Sequence, residues 1–574
     1  MYDVVLRGGT IVDGTRMPRY RGDVGIVDGR IAALGRLADN AAHRVIDADG
    51  LIVAPGFVDL HTHYDAQVFW DPYCSLSGWH GVTSVVIGNC GFGFAPVLPE
   101  LRERSMLSMT RNEAISLDAM RAGMPWDWVT FPDFLDSLDR TAKSVNLLPY
   151  VPLTPLLVWV MGLERAKAGA LPTDAEHDEL ARLLDEAMDA GACGWSAQRL
   201  MPTGTMALQR DYDGTPMPTD VMHDETCRVL ARVLARRGEG FIQMTVSSGD
   251  RDADRLRFEE MAAISGRPVI FNVLGAVDRA PDSHLDTIAW LERCRQKGLR
   301  VYGQATTSDF GFTFTLEDFN LFDDADPWRE MLIGSVDERL AKVADQSRRE
   351  ALKSRLPYAG TASLDSIVVI RAHAPDAKRF ENHTVADIGR ILGKHHIDAF
   401  LDIAAGDQLK TTFYVDTMSH QIEPLRDIID YPWAIPGVSD GGAHTKFATS
   451  GRYPTEFITR LVREHGLCEL EEAHWRLSTL PAMCAGFRDR GTLVVGAPAD
   501  IIVYDYDNLS ITDTEVVHDL PGGDWRRVQR AQGYRYVLVN GTVTIEDDAE
   551  TGAPSGQLLR FGAGVPFLHK TGVA

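Results

Sequence analysis

Short apolar runs recur through the middle of the chain, separated by segments of helical period. The runs are GFVDLHTH (56–63), TSVVIGNC (83–90), NLLPYVPL (146–153), ACGWSAQ (192–198), GFIQMTV (240–246), PVIFNVL (268–274), RVYGQAT (300–306) and WAIPGVSD (433–440). They are nearly continuous in apolar residues, as strands covered on both faces are. Parallel strands need long crossovers, usually helices. DAEHDELARLLDEAMDAG (174–191) and ETCRVLARVLARRG (225–238) have the spacing of such helices. Eight strands joined in this way predict an α/β fold, a (β/α)8 TIM barrel.

The two ends differ. Tyr2–Leu6, Thr10–Val12, Gly22–Val27, Arg30–Leu34 and Arg44–Asp47 are short β-rich runs, as are GTLVVGAPADIIVYD (491–505) and YRYVLVNGTVTIED (534–547). Asn540–Gly541 is a hairpin signal within the last of these. A small β-sandwich-like domain built from both termini, 1–55 plus 485–574, is expected beside a barrel spanning 56–484. Segments near 97–135 and 307–365 exceed a minimal barrel and read as insertions that wall a substrate pocket.

Charge and cysteine usage exclude several classes. With 58 basic and 81 acidic residues the formal net charge is −23, which disfavours nucleic acid or an anionic membrane as partner. The opening MYDVVLRGGTIVDG has no basic segment followed by an apolar core, so no signal peptide is expected, and no run is long enough to span a membrane. Seven scattered cysteines without a CxxC pair suit a reducing cytoplasm. A small-molecule substrate is the expected partner, and the chain can form a homo-oligomer.

His61 and His63 lie two apart at the end of the first run, so they share a face. At the C-terminal mouth of a barrel, two inward imidazoles are placed to chelate a divalent ion. Taken alone, the pair fits a hydrogen-bonded core couple equally well. Cys90 ends the second run beside them, and a thiolate suits a borderline-soft ion such as Zn²⁺. Asp440 ends the eighth run in VSDGGAH, where a carboxylate can accept the proton of an attacking water, or simply form a turn. His444, four residues on, lines the pocket, braces Asp440, or is an ordinary loop histidine.

PGFVDLHTHYD (55–65), GVTSVVIGNCG (81–91), GVSDGGAH (437–444) and LPAMCAGFRDRGTLVVGAPADIIVYD (480–505) together resemble the amidohydrolase superfamily. GNCG and SDG narrow the resemblance to its N-acyl-D-amino-acid deacylase branch. The resemblance implies a divalent metal held by His61, His63, Cys90 and Asp440, with Asp440 also the general base. It further implies an arginine near Arg452 that holds the substrate carboxylate.

The chain departs from that branch. The resemblance implies metal-binding histidines at the ends of strands five and six, but those strands read FIQMTV and VIFNVL, with Gln243 and Asn272 at or near the places concerned. The branch's substrate lysine after strand six is replaced near Leu274, and strand four ends Ser196, Ala197, Gln198 with no bridging lysine. Three readings follow: one metal on His61, His63, Asp440 and Cys90; a substitute ligand such as His223; or a decayed, non-catalytic binding protein. The first is preferred, because buried ionisable groups are costly without a partner. Gln243 and Asn272 then act as neutral hydrogen-bonders towards substrate. The loop 200–217, with Arg210, Asp211 and Tyr212, is expected to help form the pocket, and Trp126, Trp128, Phe310, Phe312 and Phe314 suggest an apolar acyl group. The function expected is metal-dependent hydrolysis of a C–N amide-type bond, as in N-acyl-(D-)amino acids. Cyclic amides, carbamates, ureas and lactones fit the same apparatus.

Overall fold

The computed structural model of the protein describes residues 1–561 apart from 39–41, 201–209, 278–279, 309–310, 318–321, 323–324, 358–362, 417 and 419–420. The barrel strands are β1 (Phe57–Asp59), β2 (Val82–Ile87), β3 (Asn146–Pro149 continuing as Val151–Pro152), β4 (Gly194–Leu200), β5 (Phe241–Ser247), β6 (Val269–Leu274), β7 (Val301–Ala305) and β8 (Ala434–Pro436). Neighbours pair in parallel from β1 to β3 and from β3 to β8. A parallel bridge between Thr62 and Gly441 joins the chain after β1 to the chain after β8 and closes the ring. All eight apolar runs are therefore strands, and the fold is the (β/α)8 barrel that they predict. The helical-period segments form Asp174–Ala190 and Asp224–Arg237. The first starts with a Thr173–Glu176 capping box and stops at Gly191, whose φ of 118° favours glycine.

The terminal strands form one nine-stranded sheet. Ile52–Pro55 pairs in parallel with Tyr2–Ile11 on one side and antiparallel with Ile501–Tyr504 on the other. Side chains alternate across it. Val53, Ile501, Val503 and Leu538 pack into the sheet's own core, whereas Ala54, Ile502, Tyr504 and Val537 pack into the barrel's core. The hairpin signal holds: Tyr534–Val539 and Thr542–Glu546 turn at Asn540 and Gly541, both at positive φ.

The first insertion carries the helix Arg102–Glu113, called α1 below, and two further helices, Leu117–Gly123 and Phe131–Arg140. The second is longer than 307–365. A three-stranded sheet links Gly311–Phe314 and Val368–Arg371 through Thr412–Asp416, and its core includes Phe314, Trp328, Phe400 and Phe413. Helices Val385–Leu392 and His396–Gly406 belong to this unit. Their apolar spacing matches that of barrel crossovers, so sequence pattern alone does not separate them from the barrel. Among the described residues, no helix is long and apolar enough to cross a membrane.

Candidate metal centre

The mouth of the barrel is built by two loops that zip together. His63 N–H donates to Gly441 O at 2.6 Å, and Ser439 Oγ donates to the carbonyl of His61 at 3.0 Å. Gly441 N–H donates to the same Ser439 hydroxyl at 3.0 Å. This lacing fixes His61, His63 and Asp440 relative to one another. Val438, Asp440 and His444 all take positive φ (58°, 47° and 52°), a concentration of unfavourable backbone that marks a constrained functional loop.

Cys90 sits in a turn held from every side. Gly88 N–H donates to Asp65 Oδ2 at 3.1 Å, and Gly91 N–H to Ser196 Oγ at 2.9 Å, while that hydroxyl donates back to Gly88 O. Asn89 Nδ2 donates to the carbonyls of Thr62 and Val86 at 3.1 and 3.0 Å. Cys90 itself has φ 58°, so its side chain is aimed by a backbone that costs energy to hold. Gly91 is needed here: its φ is 75°, and a Cβ would lie 3.0 Å from both Ala197 Cα and Ser196 O.

The donor atoms form an arc. Cys90 Sγ is 3.4 Å from His61 Nε2, and that nitrogen is 3.3 Å from Asp440 Oδ1. Asp440 Oδ1 is 3.8 Å from His63 Nε2, which is 3.7 Å from Glu113 Oε2. One donor atom each from His61, His63 and Cys90 lie within 4.8 Å of one another. Ligands of a tetrahedral ion at bond lengths of roughly 2.0–2.3 Å stand about 3.3–3.7 Å apart; consecutive steps of the arc, 3.3–3.8 Å, are close to this. His61 Nδ1 is 3.3 Å from Gln304 Oε1. Donation from Nδ1–H to this amide oxygen leaves the lone pair on Nε2, facing the arc.

The electrostatics agree with a cation site. Burial holds His61 neutral, with a pKa of about 4, and pushes His63 well below its ordinary value, helped by His61 and His444. Burial, then the Asp59 carboxylate, raises Asp440 to about 7. Burial raises Glu113 well above the carboxylate range, with Asp440 and Asp65 adding to it, and raises Cys90 with Glu113 and Asp440 adding. Three acids and two neutral imidazoles thus converge in a buried chamber where the acids repel one another. A divalent ion supplies the missing charge, so the residues fit one.

Several expected residues act otherwise. Gln243 has both ends engaged: Oε1 accepts from Cys90 N–H at 2.8 Å, and Nε2 donates to Thr245 Oγ1 at 3.3 Å. It supports the Cys90 turn instead of facing substrate. Asn272 Nδ2 donates to the same Thr245 hydroxyl at 3.0 Å, and its buried Oδ1 has no hydrogen-bond partner among the described residues. Arg452 is committed to Glu456 Oε2 at 3.2 Å and Thr449 Oγ1 at 3.0 Å, and its charge acts on His80. The guanidinium is thus already shared with an acid four residues on. His444 lines the same small pocket as Asp440, and its Nε2 lies 3.4 Å from Glu113 Oε2. His223 is exposed, with Nε2 3.0 Å from Gly169 O, and supplies no ligand to the arc.

Of the aromatic residues, Trp126 and Trp128 stack on each other at 5.1 Å within the core, and Phe314 packs on Phe413. Phe312 alone of the described set borders the arc, its ring 5.7 Å from that of His444; Phe310 lies outside the described residues. Within the loop 200–217, residues 201–209 lie outside the described residues, and Asp211 is buried against Ser108 at 2.5 Å and Lys167 at 2.6 Å. Glu113, Gln304 and Ser196 were not singled out by pattern as site-forming groups. Only the polar intrusion of Gln304 into an apolar strand signals such a role.

An eight-stranded parallel barrel with a buried arc of imidazole, thiol and carboxylate donors at its mouth defines a metal-dependent hydrolase. The family model described as the amidohydrolase family matches residues 44–545, and the chain belongs to that family. It is 29% identical over 577 residues to N-acyl-D-aspartate deacylase of Alcaligenes xylosoxydans xylosoxydans, covering 99% of this chain and 97% of the relative. It also resembles a solved N-acyl-D-glutamate deacylase of Bordetella bronchiseptica complexed with zinc and a phosphonate inhibitor, at 25% identity and TM-score 0.67, over 97% and 99% of the two chains. A solved D-aminoacylase shares the fold at TM-score 0.66 and 23% identity, over 98% and 100%. The protein is a deacylase-like, divalent-metal-dependent amidohydrolase acting on carbon–nitrogen bonds other than peptide bonds.

Proposed function

We propose that the protein hydrolyses the amide of N-acylated amino acids, with a single zinc ion held by His61, His63, Cys90 and Asp440. The observation that carries this reading is the position of Asp440 Oδ1, 3.3 and 3.8 Å from the Nε2 atoms of His61 and His63. Held by these residues, a divalent ion would lower the pKa of water and polarise the scissile carbonyl. Asp440 accepts the proton of the attacking water and delivers it to the leaving nitrogen, so amide and water become carboxylate and amine. The unpartnered Asn272 Oδ1 is an acceptor available to the substrate N–H. A neighbouring apolar groove, lined by Phe92, Leu101, Met109 and Val158, is the place offered to the acyl chain. Phe92 borders both regions, its ring 6.5 Å from that of His63. None of the seven cysteines is in a disulfide, in keeping with the expected cytoplasmic location.

The test is a panel of N-acyl-D- and N-acyl-L-amino acids, cyclic amides, carbamates, ureas and lactones. The wild type is expected to turn over an N-acyl amino acid, to lose activity on chelation, and to regain it with one equivalent of zinc. Asp440→Asn is expected to lower kcat by about 10²–10⁴-fold with the fold retained. Turnover indifferent to chelation and to this substitution, or a folded protein that binds no metal, sinks the reading. Activity confined to cyclic amides or esters redirects the substrate class.

A further inference from the structure

We propose that Glu113, delivered by the first insertion, is a protein ligand of the divalent ion and takes up a coordination role that strands five and six do not fill. This rests on the metal-centre reading above. Glu113 is the last residue of α1 and is 2% exposed. Its Oε2 lies 3.7 Å from His63 Nε2 and 3.4 Å from His444 Nε2. The first spacing matches the other steps of the arc, between 3.3 and 3.8 Å, which puts the carboxylate at the His63 end of the series, beside the compact set of His61, His63 and Cys90.

The surroundings of Glu113 leave few other purposes. Among the described residues, no backbone amide, hydroxyl, lysine or arginine hydrogen-bonds or pairs with its carboxylate, which faces His63 and His444. It also stands at a helix C-terminus, the end where a negative charge is disfavoured. A structural glutamate gains nothing from that place, whereas a cation beside it removes both penalties. The backbone holds it there: Ala114 turns the chain out of the helix at φ 52°, and His444 N–H donates to Glu113 O at 2.7 Å. Strands five and six meanwhile offer Gln243, whose two ends are engaged, and Asn272, an amide. Amides are poor zinc ligands compared with imidazole, thiolate and carboxylate. A carboxylate from outside the barrel makes up the shortfall.

The experiment uses the full chain, stripped and reloaded with Zn²⁺ or Co²⁺, as wild type, Glu113→Gln, Glu113→Asp and His444→Ala. Melting curves establish folding. Metal affinity is read by chelator competition, and the visible spectrum of the Co²⁺ form reads its coordination. Glu113→Gln is expected to weaken binding more than about tenfold and to shift the cobalt d–d bands, leaving the thiolate charge-transfer band of Cys90 in place. Glu113→Asp is expected to recover part of the affinity. An unchanged affinity and spectrum in folded Glu113→Gln overturns the proposal while leaving the one-metal hydrolase intact. An equal loss in His444→Ala also overturns it, since Glu113 would then act only through His444. A wild type that binds no metal overturns both readings.

Discussion

The backbone N–H of Cys90 donates to Oε1 of Gln243 across the barrel mouth at 2.8 Å. A side chain expected to meet substrate instead holds the turn that presents the thiol. Gln243 is fully buried, so Gln243→Leu strands a buried donor and is expected to cost about 1–3 kcal/mol. Calorimetric melting reads that loss. Metal affinity is expected to fall with it, whereas a Gln243→Leu protein with wild-type affinity would show that the turn holds without the amide.

Gly91→Ala strains the same turn from the other side. The new methyl meets Ala197 Cα and Ser196 O at 3.0 Å, on a backbone at φ 75°. A loss of about 1–3 kcal/mol in chemical denaturation is expected, together with slower binding of metal to the stripped protein. A variant as stable as wild type counts against the crowding described.

Arg452→Ala addresses the substrate grip. Because the guanidinium is engaged by Glu456 and Thr449, KM for an N-acyl amino acid is expected to change by less than about threefold. Stability is expected to drop by about 1 kcal/mol. Steady-state kinetics check this, and a tenfold rise in KM would restore Arg452 as a substrate residue.

Stability should fall in acid for a reason outside the metal centre. His80 is buried, its Nδ1 2.8 Å from Thr455 Oγ1 and its Nε2 3.1 Å from Gln529 O. Burial is the main cause that lowers its pKa to about 4, and Arg452 adds to it. The folded state keeps this imidazole neutral while the unfolded chain protonates near 6.5. Its contribution is therefore complete above pH 6.5 and is lost as pH falls towards 4, on the order of 3 kcal/mol in all. The slope of stability against pH between those limits is expected to flatten in His80→Gln, measured on metal-free protein.

The barrel was legible because strands buried on both faces cannot hide their composition, and HTH, GNCG and VSDGG lie where those strands end. What was not legible is instructive. RERSMLSMTRNE falls in the insertion expected to wall the pocket, yet nothing in it distinguishes Glu113 from the exposed Glu103 on the same helix. Only the tertiary return of α1 to the mouth does so. Arg452 carries a cue of its own in the sequence, since Glu456 four residues on is the spacing of a helical ion pair. Gln243 and Asn272 were correctly seen as amides, but the partners of an amide depend on neighbours several strands away.

The sheet shared by the two ends of the chain sets an order of assembly. Ala54 is paired with Ile502 and Val53 with Val503. During synthesis, the first strands therefore leave the ribosome with an apolar edge whose partner is translated on the order of tens of seconds later. All eight barrel strands are made in between. The barrel can begin to form before the terminal sheet is whole, and until then the strand Ile52–Pro55 that leads into His61 and His63 stays unclamped on one side. A release of the nascent chain short of residue 501 would leave a barrel with its donors present and their scaffold open.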